Sequence, residues 1–146
     1  MGLDMYLTAK SFIWTHTVEG KILQEKLKKV MDTDYPVQYV ELEIGYWRKA
    51  NQIHKWFVDN IQNGKDDCKE YEVSEDNLKE LLETVNTALK SKNPENILPT
   101  EEGFFFGKTE YDEYYFQQLE HTRDIIEKYL NLKNKEEYDV YYSSSW

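Results

Sequence analysis

The sequence predicts an α+β protein: a small, mostly antiparallel sheet of about four strands packed against three or four helices, in one domain spanning residues 1–146. Three observations lead there. Residues 3–12 alternate apolar and polar with a period of two, the pattern of a strand with one buried face. Residues 21–31 and 78–89 instead repeat their apolar positions every three or four residues, as amphipathic helices do. The two kinds of segment follow one another along a chain of 146 residues, about the length of one domain, with no internal repeat or linker between them.

Taken in order, Leu3, Met5, Leu7 and Ala9 form the apolar face of the first strand, and Asp4, Tyr6, Thr8 and Lys10 the other. Glu19-Gly20 breaks the chain. Ile22, Leu23, Leu27, Val30 and Met31 then outline a short helix over Lys21–Met31, and Asp32 to Pro36 a turn. Val37 to Ile44 is rich in β-branched and aromatic residues, which suits a second strand. Tyr46 to Ile61 is expected as a helix, stopped at Asn63-Gly64 by a residue pair that tolerates left-handed backbone. After a loop at Lys65 to Asp67, Glu70 to Val73 alternates as a short third strand. Ser74 is placed to cap the next helix, with Glu75 and Asp76 meeting the positive end of its dipole. Leu78, Leu81, Leu82, Val85 and Leu89 give that helix its buried face. Pro94 and Pro99 mark residues 93–102 as a connecting loop. Phe104-Phe105-Phe106, bracketed by Gly103 and Gly107, reads as a strand buried on both faces, or else as a lid or patch with a ring outside. Thr109-x-x-Asp112 resembles a capping box with Asp for Glu, opening a long helix to about Leu132. Tyr138 to Ser143 alternates weakly and closes the sheet.

Composition narrows the function. The chain is 40% hydrophobic and 15% aromatic, enough to build a core rather than stay disordered. Its formal net charge of -10 is repelled by phosphate, which argues against non-specific binding to DNA, RNA or an anionic membrane. Only two of its 18 basic residues, Arg48 and Arg123, are arginines, the side chain best shaped for phosphates and base edges. No direct nucleic-acid partner is therefore expected, although the carboxylates could themselves imitate nucleic acid before a basic groove. Cys68 is the single cysteine, so no internal disulfide can form, and it reads more simply as a loop thiol than as a nucleophile. No apolar run approaches the roughly 18 residues of a membrane span. The first residues lack a signal-peptide pattern, and Tyr6 stands where a myristoylation site wants Ser or Thr. The expectation is a cytoplasmic protein with no membrane partner.

Several segments are distinctive together. They are Met1-Gly2-Leu3-Asp4-Met5-Tyr6-Leu7, Gly45 to Phe57 with its Tyr46-Trp47-Arg48-Lys49-Ala50-Asn51 run, Gly103 to Gly107 followed by Tyr111 to Tyr115, and the terminal Tyr141 to Trp146. The chain resembles, over essentially its whole length, a family of short and mostly uncharacterised phage and prophage proteins. That resemblance implies a viral accessory protein at work in a host cell. It carries over no catalytic residue.

The candidate binding residues concentrate in the middle helix. Treated as helical from Tyr46, the segment puts Tyr46, Ala50, Ile53 and Phe57 on one face and Trp47, Asn51, His54 and Val58 on the next, with Arg48 beside Asn51 and Lys55. On one reading Trp47 stacks on a ring while Arg48, Asn51 and His54 contact a polar or anionic group. On the other, Trp47 and His54 are core residues with satisfied ring N–H groups, and Arg48 pairs with a carboxylate. Phe105, Tyr111, Asp112 and Tyr115 join the candidates for ligand or partner binding. No metal site is expected, because His16, His54 and His121 are far apart and lack a Cys partner, leaving only a spatial grouping of His54 with Asp4, Glu41 or Glu43. No cofactor motif or catalytic constellation stands out, and Ser143 to Ser145 lack a nucleophile elbow. Small size, acidity, abundant tyrosine and the phage resemblance point to a non-catalytic binder that inhibits a host or defence protein, in the manner of a CRISPR inhibitor. The alternative is a small-molecule binder, with a nucleotide-type signal as ligand.

Overall fold

The computed structural model describes residues 2–146. Its strands are β1 (Asp4–Phe12), β2 (Tyr39–Arg48), β3 (Tyr71–Val73) and β4 (Asp139–Ser145), and its helices α1 (Val18–Met31), α2 (Asn51–Asn60), α3 (Glu75–Lys90) and α4 (Glu113–Leu130). The strands form one fully antiparallel sheet in the order β2-β1-β4-β3. This is the α+β class that the sequence predicts, with four strands and four helices.

The alternation of β1 decides the layering. Leu3, Met5, Leu7 and Ala9 are wholly buried, and their cross-strand partners Trp47, Gly45, Tyr142 and Val140 are buried with them. They meet Ile53 and Phe57 of α2, Leu78, Leu81 and Val85 of α3, and Leu119 and Ile126 of α4 in one apolar core. Fully burying a side chain of this size contributes about 1.5–3 kcal/mol, so this layer supplies the main cohesion of the fold. Asp4, Tyr6, Thr8 and Lys10 point the other way. Among the described residues, no strand residue of that second face joins the core.

α1 stands apart. Thr17, not Gly20, marks its start: the Thr17 hydroxyl accepts the Gly20 N–H at 3.0 Å. Gly20 is required there, since a Cβ would sit 1.7 Å from the Trp14 carbonyl oxygen. Only Gly20 and Gln24 of α1 are buried. Gln24 anchors the helix by accepting the Val37 N–H at 2.9 Å and donating to the Val37 carbonyl. The apolar Val18, Ile22, Leu23, Val30 and Met31 stay exposed.

Three elements differ from expectation. Tyr46, Trp47 and Arg48 belong to β2, paired with Tyr6, Met5 and Asp4, so the middle helix begins only at Asn51. The exposure of Gly45 to Arg48 runs buried, exposed, buried, exposed, a period of two that overlaps the helical pattern over so short a stretch. Lys49 then turns the chain with a left-handed φ of 54°, while its N–H bonds the Leu3 carbonyl at 2.7 Å. At the far end of α2, Asn63 and Gly64 are left-handed, and the Gly64 N–H returns to the Val58 carbonyl at 2.8 Å. The triple-phenylalanine segment is a turn, not a buried strand. Its Phe106 N–H bonds the Gly103 carbonyl at 3.1 Å, Phe106 is buried, Phe105 is half-buried and Phe104 is 95% exposed. Finally, α4 is capped by Asp112, whose carboxylate accepts the Tyr115 N–H at 3.1 Å, and not by Thr109. The cap of α3 matches its signal: Ser74 and Asn77 exchange side-chain and backbone bonds, each at 3.1 Å.

Candidate functional site

The strand-to-helix turn at residues 48–51 sends the expected site residues to different surroundings. Trp47 is buried beneath the sheet, and its indole N–H donates to the Thr122 hydroxyl at 2.8 Å. Arg48, next in a pleated strand, emerges on the opposite face and reaches the Asp4 carboxylate at 3.2 Å. Asn51 is buried at the start of α2 and clamps the 101–108 segment. Its amide donates to the carbonyls of Phe106 (3.1 Å) and Lys108 (2.8 Å) and accepts the Glu101 N–H (3.0 Å). Phe105 lies in that segment, and its carbonyl accepts the Leu3 N–H at 3.0 Å. The Tyr111 hydroxyl accepts the Thr100 N–H at 3.0 Å, and its ring packs edge-on against Tyr115. Asp112 caps α4, and the buried Tyr115 hydroxyl donates to the Leu98 carbonyl at 2.7 Å; burial pushes that phenol far above its ordinary range. Apart from Arg48, the polar atoms of these side chains are spent on the protein's own chain.

His54 has partners that its sequence position does not reveal. The imidazole is wholly buried, with Nε2 3.0 Å from the Asp66 carboxylate and Nδ1 2.7 Å from the Tyr142 hydroxyl. A carboxylate only accepts, so Nε2 carries a proton, and in the neutral ring Nδ1 accepts from Tyr142. The other Asp66 oxygen accepts the indole N–H of Trp146 at 3.0 Å. Tyr142 lies flat on Phe57, with ring centroids 3.9 Å apart. Burial, then the charge of Asp66, pushes the Tyr142 phenol well above its usual value. This chain of contacts fastens β4, α2 and the 62–68 loop together. It leads from the buried imidazole to the half-exposed Trp146 at the surface. Asp4, Glu41 and Glu43 lie on the opposite side of the sheet from His54, and among the described residues no three His, Cys, Asp or Glu side chains gather as metal ligands. Cys68 is exposed in the loop, in left-handed backbone.

What remains open is the outer face of the sheet. The register places Tyr6, Tyr46 and Tyr141 near its centre and Phe12 with Tyr39 at one end. The Tyr6 and Tyr46 ring centroids are 5.4 Å apart, and the Tyr46 hydroxyl donates to Asp4 at 2.5 Å, a bond that raises the Tyr46 phenol value. Lys10 crosses the face to Glu70 at 2.7 Å, with its ammonium 5.0 Å from the centre of the Tyr141 ring. That hydrogen bond with Glu70 raises the Lys10 value against the opposing effect of burial. The aromatic row ends where Phe12 packs edge-on against both Tyr39 (5.1 Å) and Trp14 (4.7 Å). Charge is lopsided: among the described strand residues of this face, Asp4, Glu41, Glu43, Glu72 and Asp139, with the adjoining Glu70, outnumber Lys10 and Arg48. The alternation of β1 announces half of this surface. Arg48 is a candidate from the sequence but is assigned to a helix rather than to this face; Tyr46 is missed for the same reason, and Tyr141 because the closing strand has only a weak pattern.

The fold is thus that of a two-layer α+β protein, with α2, α3 and α4 on one side of an antiparallel sheet and a tyrosine-bearing, acidic face on the other. Comparison with protein-family models, curated proteins and solved structures returns no match to this chain. No described helix is long and apolar enough to cross a membrane.

Proposed function

We propose that this is a phage-type accessory protein acting in the cytoplasm of a host cell, a non-catalytic binder that inhibits a host or defence protein in the manner of a CRISPR inhibitor. The outer sheet face is its contact surface. The observation that carries the reading is that face itself: tyrosines on paired strands, ringed by carboxylates, with no strand residue of the face in the helix-packed core among the described residues. Tyrosine offers a large amphipathic contact at little entropic cost, and a field of one sign steers a partner of the opposite sign. The partner is therefore a protein with a basic surface, of the sort that otherwise holds nucleic acid. The small-ligand alternative has less support, because Trp47, Asn51 and His54 are buried and bonded to the chain itself.

Immobilised protein exposed to host extract tests this reading. A bound protein should be retained at low salt, released as salt shortens the range of the field, and lost when Glu43 and Glu72 are reversed to Lys. Retention that ignores both salt and charge reversal, or recovery of a small molecule in place of a protein, would sink it.

A further inference from the structure

β2 is an edge strand, and one half of that edge is already closed. The Tyr46 carbonyl accepts from His121 Nε2 at 2.8 Å and the Arg48 carbonyl from the Tyr114 hydroxyl at 2.6 Å, both side chains of α4. These two bonds also show which main-chain groups point away from β1. Lys49 and Gln38, which bond Leu3 and Ile13, point towards it. Antiparallel pairing alternates, and a bulge at Ile44 shifts the register between Gly45 and Glu43. The outward groups in the other half of the strand are consequently those of Tyr39, Glu41 and Glu43. Among the described residues, none of their N–H or carbonyl groups has a partner beyond the β1 pairing.

A slot runs beside this open half. Leu42 and Ile44 of β2 face Ile125, Tyr129 and Leu132 across a hollow of about 270 Å³, with Lys128 and Glu43 at its rim. It has room for one or two aliphatic side chains. An added strand would drop alternate residues into the slot and raise the others beside Glu41 and Glu43 on the outer face. A second copy of this chain is a poor occupant, because antiparallel pairing through the same edge would set these glutamates against their own counterparts.

We propose that the 39–44 edge of β2 takes an extended segment of a partner protein in which apolar and basic residues alternate, adding a fifth strand to the sheet. The main chain supplies affinity, the slot selects the apolar positions, and Glu41 with Glu43 selects the basic ones. This inference rests on the reading of the protein as a protein binder, and it specifies the chemistry of the segment bound.

The test uses a capped synthetic peptide of alternating Lys and Val, with a Glu-Val peptide and a Lys-block–Val-block peptide as controls. Only the alternating Lys-Val peptide should bind, and it should slow hydrogen exchange at the amides of Tyr39, Glu41 and Glu43. Binding without protection of these amides, or equal binding of the block peptide, would overturn the proposal. Proline is tolerated at an outward edge position, so Glu41→Pro removes one outward donor while keeping the β1 pairing. It should weaken binding by about three- to tenfold, the range for one lost main-chain hydrogen bond, and by more than Glu41→Gln does. Equal effects of the two substitutions would argue against strand addition. Should Glu41→Pro fail to fold, the exchange pattern of the unaltered protein decides alone. If the peptide fails while a host protein is still retained through Glu43 and Glu72, the edge inference falls and the proposed function stands.

Discussion

Substituting Tyr142 by Phe isolates one hydroxyl in the most buried polar contact of the fold. The ring remains stacked on Phe57, and no cavity larger than an oxygen atom is created. What is lost is the 2.7 Å bond to His54 Nδ1. Because His54 is fully buried, its nitrogen cannot turn to water, and an unsatisfied buried acceptor costs about 1–3 kcal/mol. For a chain of this length that corresponds to a fall in melting temperature of roughly 3–10 °C. In a His54→Leu background the same substitution should cost far less, since the hydroxyl then has no imidazole to satisfy. The alkaline limb gives a second reading. The phenol value of Tyr142 is raised in the fold, so above the ordinary value of 10.0 the unfolded chain releases this proton while the folded chain holds it. Stability from this group is complete below that value and declines as pH rises through and beyond it, by up to about 1.4 kcal/mol per pH unit. Tyr142→Phe should flatten that decline, leaving Tyr115 and Tyr129 as buried phenols raised in the same direction. Urea unfolding at neutral pH and at two alkaline values measures both effects. A variant as stable as the parent at neutral pH, with an unchanged alkaline slope, would refute the role given to this bond.

Other perturbations separate anchoring residues from free ones. Asn51→Ala should lower stability by roughly 2–4 kcal/mol, because three main-chain groups lose their partner, and hydrogen exchange at the Glu101 amide should accelerate before global unfolding. Ser74→Ala removes the cap of α3 and should cost about 1 kcal/mol in chemical denaturation, with helix content otherwise kept. Gly107→Ala places a Cβ on a residue with φ of 87° and 3.1 Å from Lys49 Cβ, and should lower the melting temperature, whereas Phe104→Ser, on a ring 95% exposed, should leave it unchanged.

The fold class was legible because its strongest signals are local. The alternation at Leu3 to Lys10 and the spacing of Leu78, Leu81 and Val85 each follow from one backbone period, and both faces are buried as that period requires. Tyr46 to Arg48 is ambiguous in the sequence because a three-residue stretch before a helix fits either period. What decides it is pairing with Met5 and Tyr6, contacts forty or more positions distant in sequence. The phenylalanine turn misleads for a related reason: three apolar residues in a row suggest burial, but left-handed Gly107 and the absence of a Cβ at Gly103, which would meet the Phe106 ring at 2.6 Å, let the chain fold back and leave Phe104 outside. Around His54, the helix position indicated a buried imidazole as one of two readings. Its partners Asp66 and Tyr142 lie in a loop and a weakly patterned strand, and nothing local links them. Arg48 was singled out as a polar contact. Its true neighbours, Asp4 and Tyr46, become visible only once the segment is known to be a strand.

The place of β4 between β1 and β3 has a consequence for the order in which the molecule is made. Asp4 pairs with Ser145, so the first strand synthesised waits for the fourth before its second edge is filled. Until then β1 and β2 can form only a two-stranded ribbon, and the apolar row from Leu3 to Ala9 has half its lateral support. Such sequence-distant pairing makes closure slow relative to helix formation, since a long loop must be ordered before any contact rewards it. In chain order α2, α3 and α4 all therefore precede the strand that completes the sheet. The arrival of β4 brings Tyr142 to His54 and Val140 to Val73, and so ties the first strand, α2 and β3 to one another.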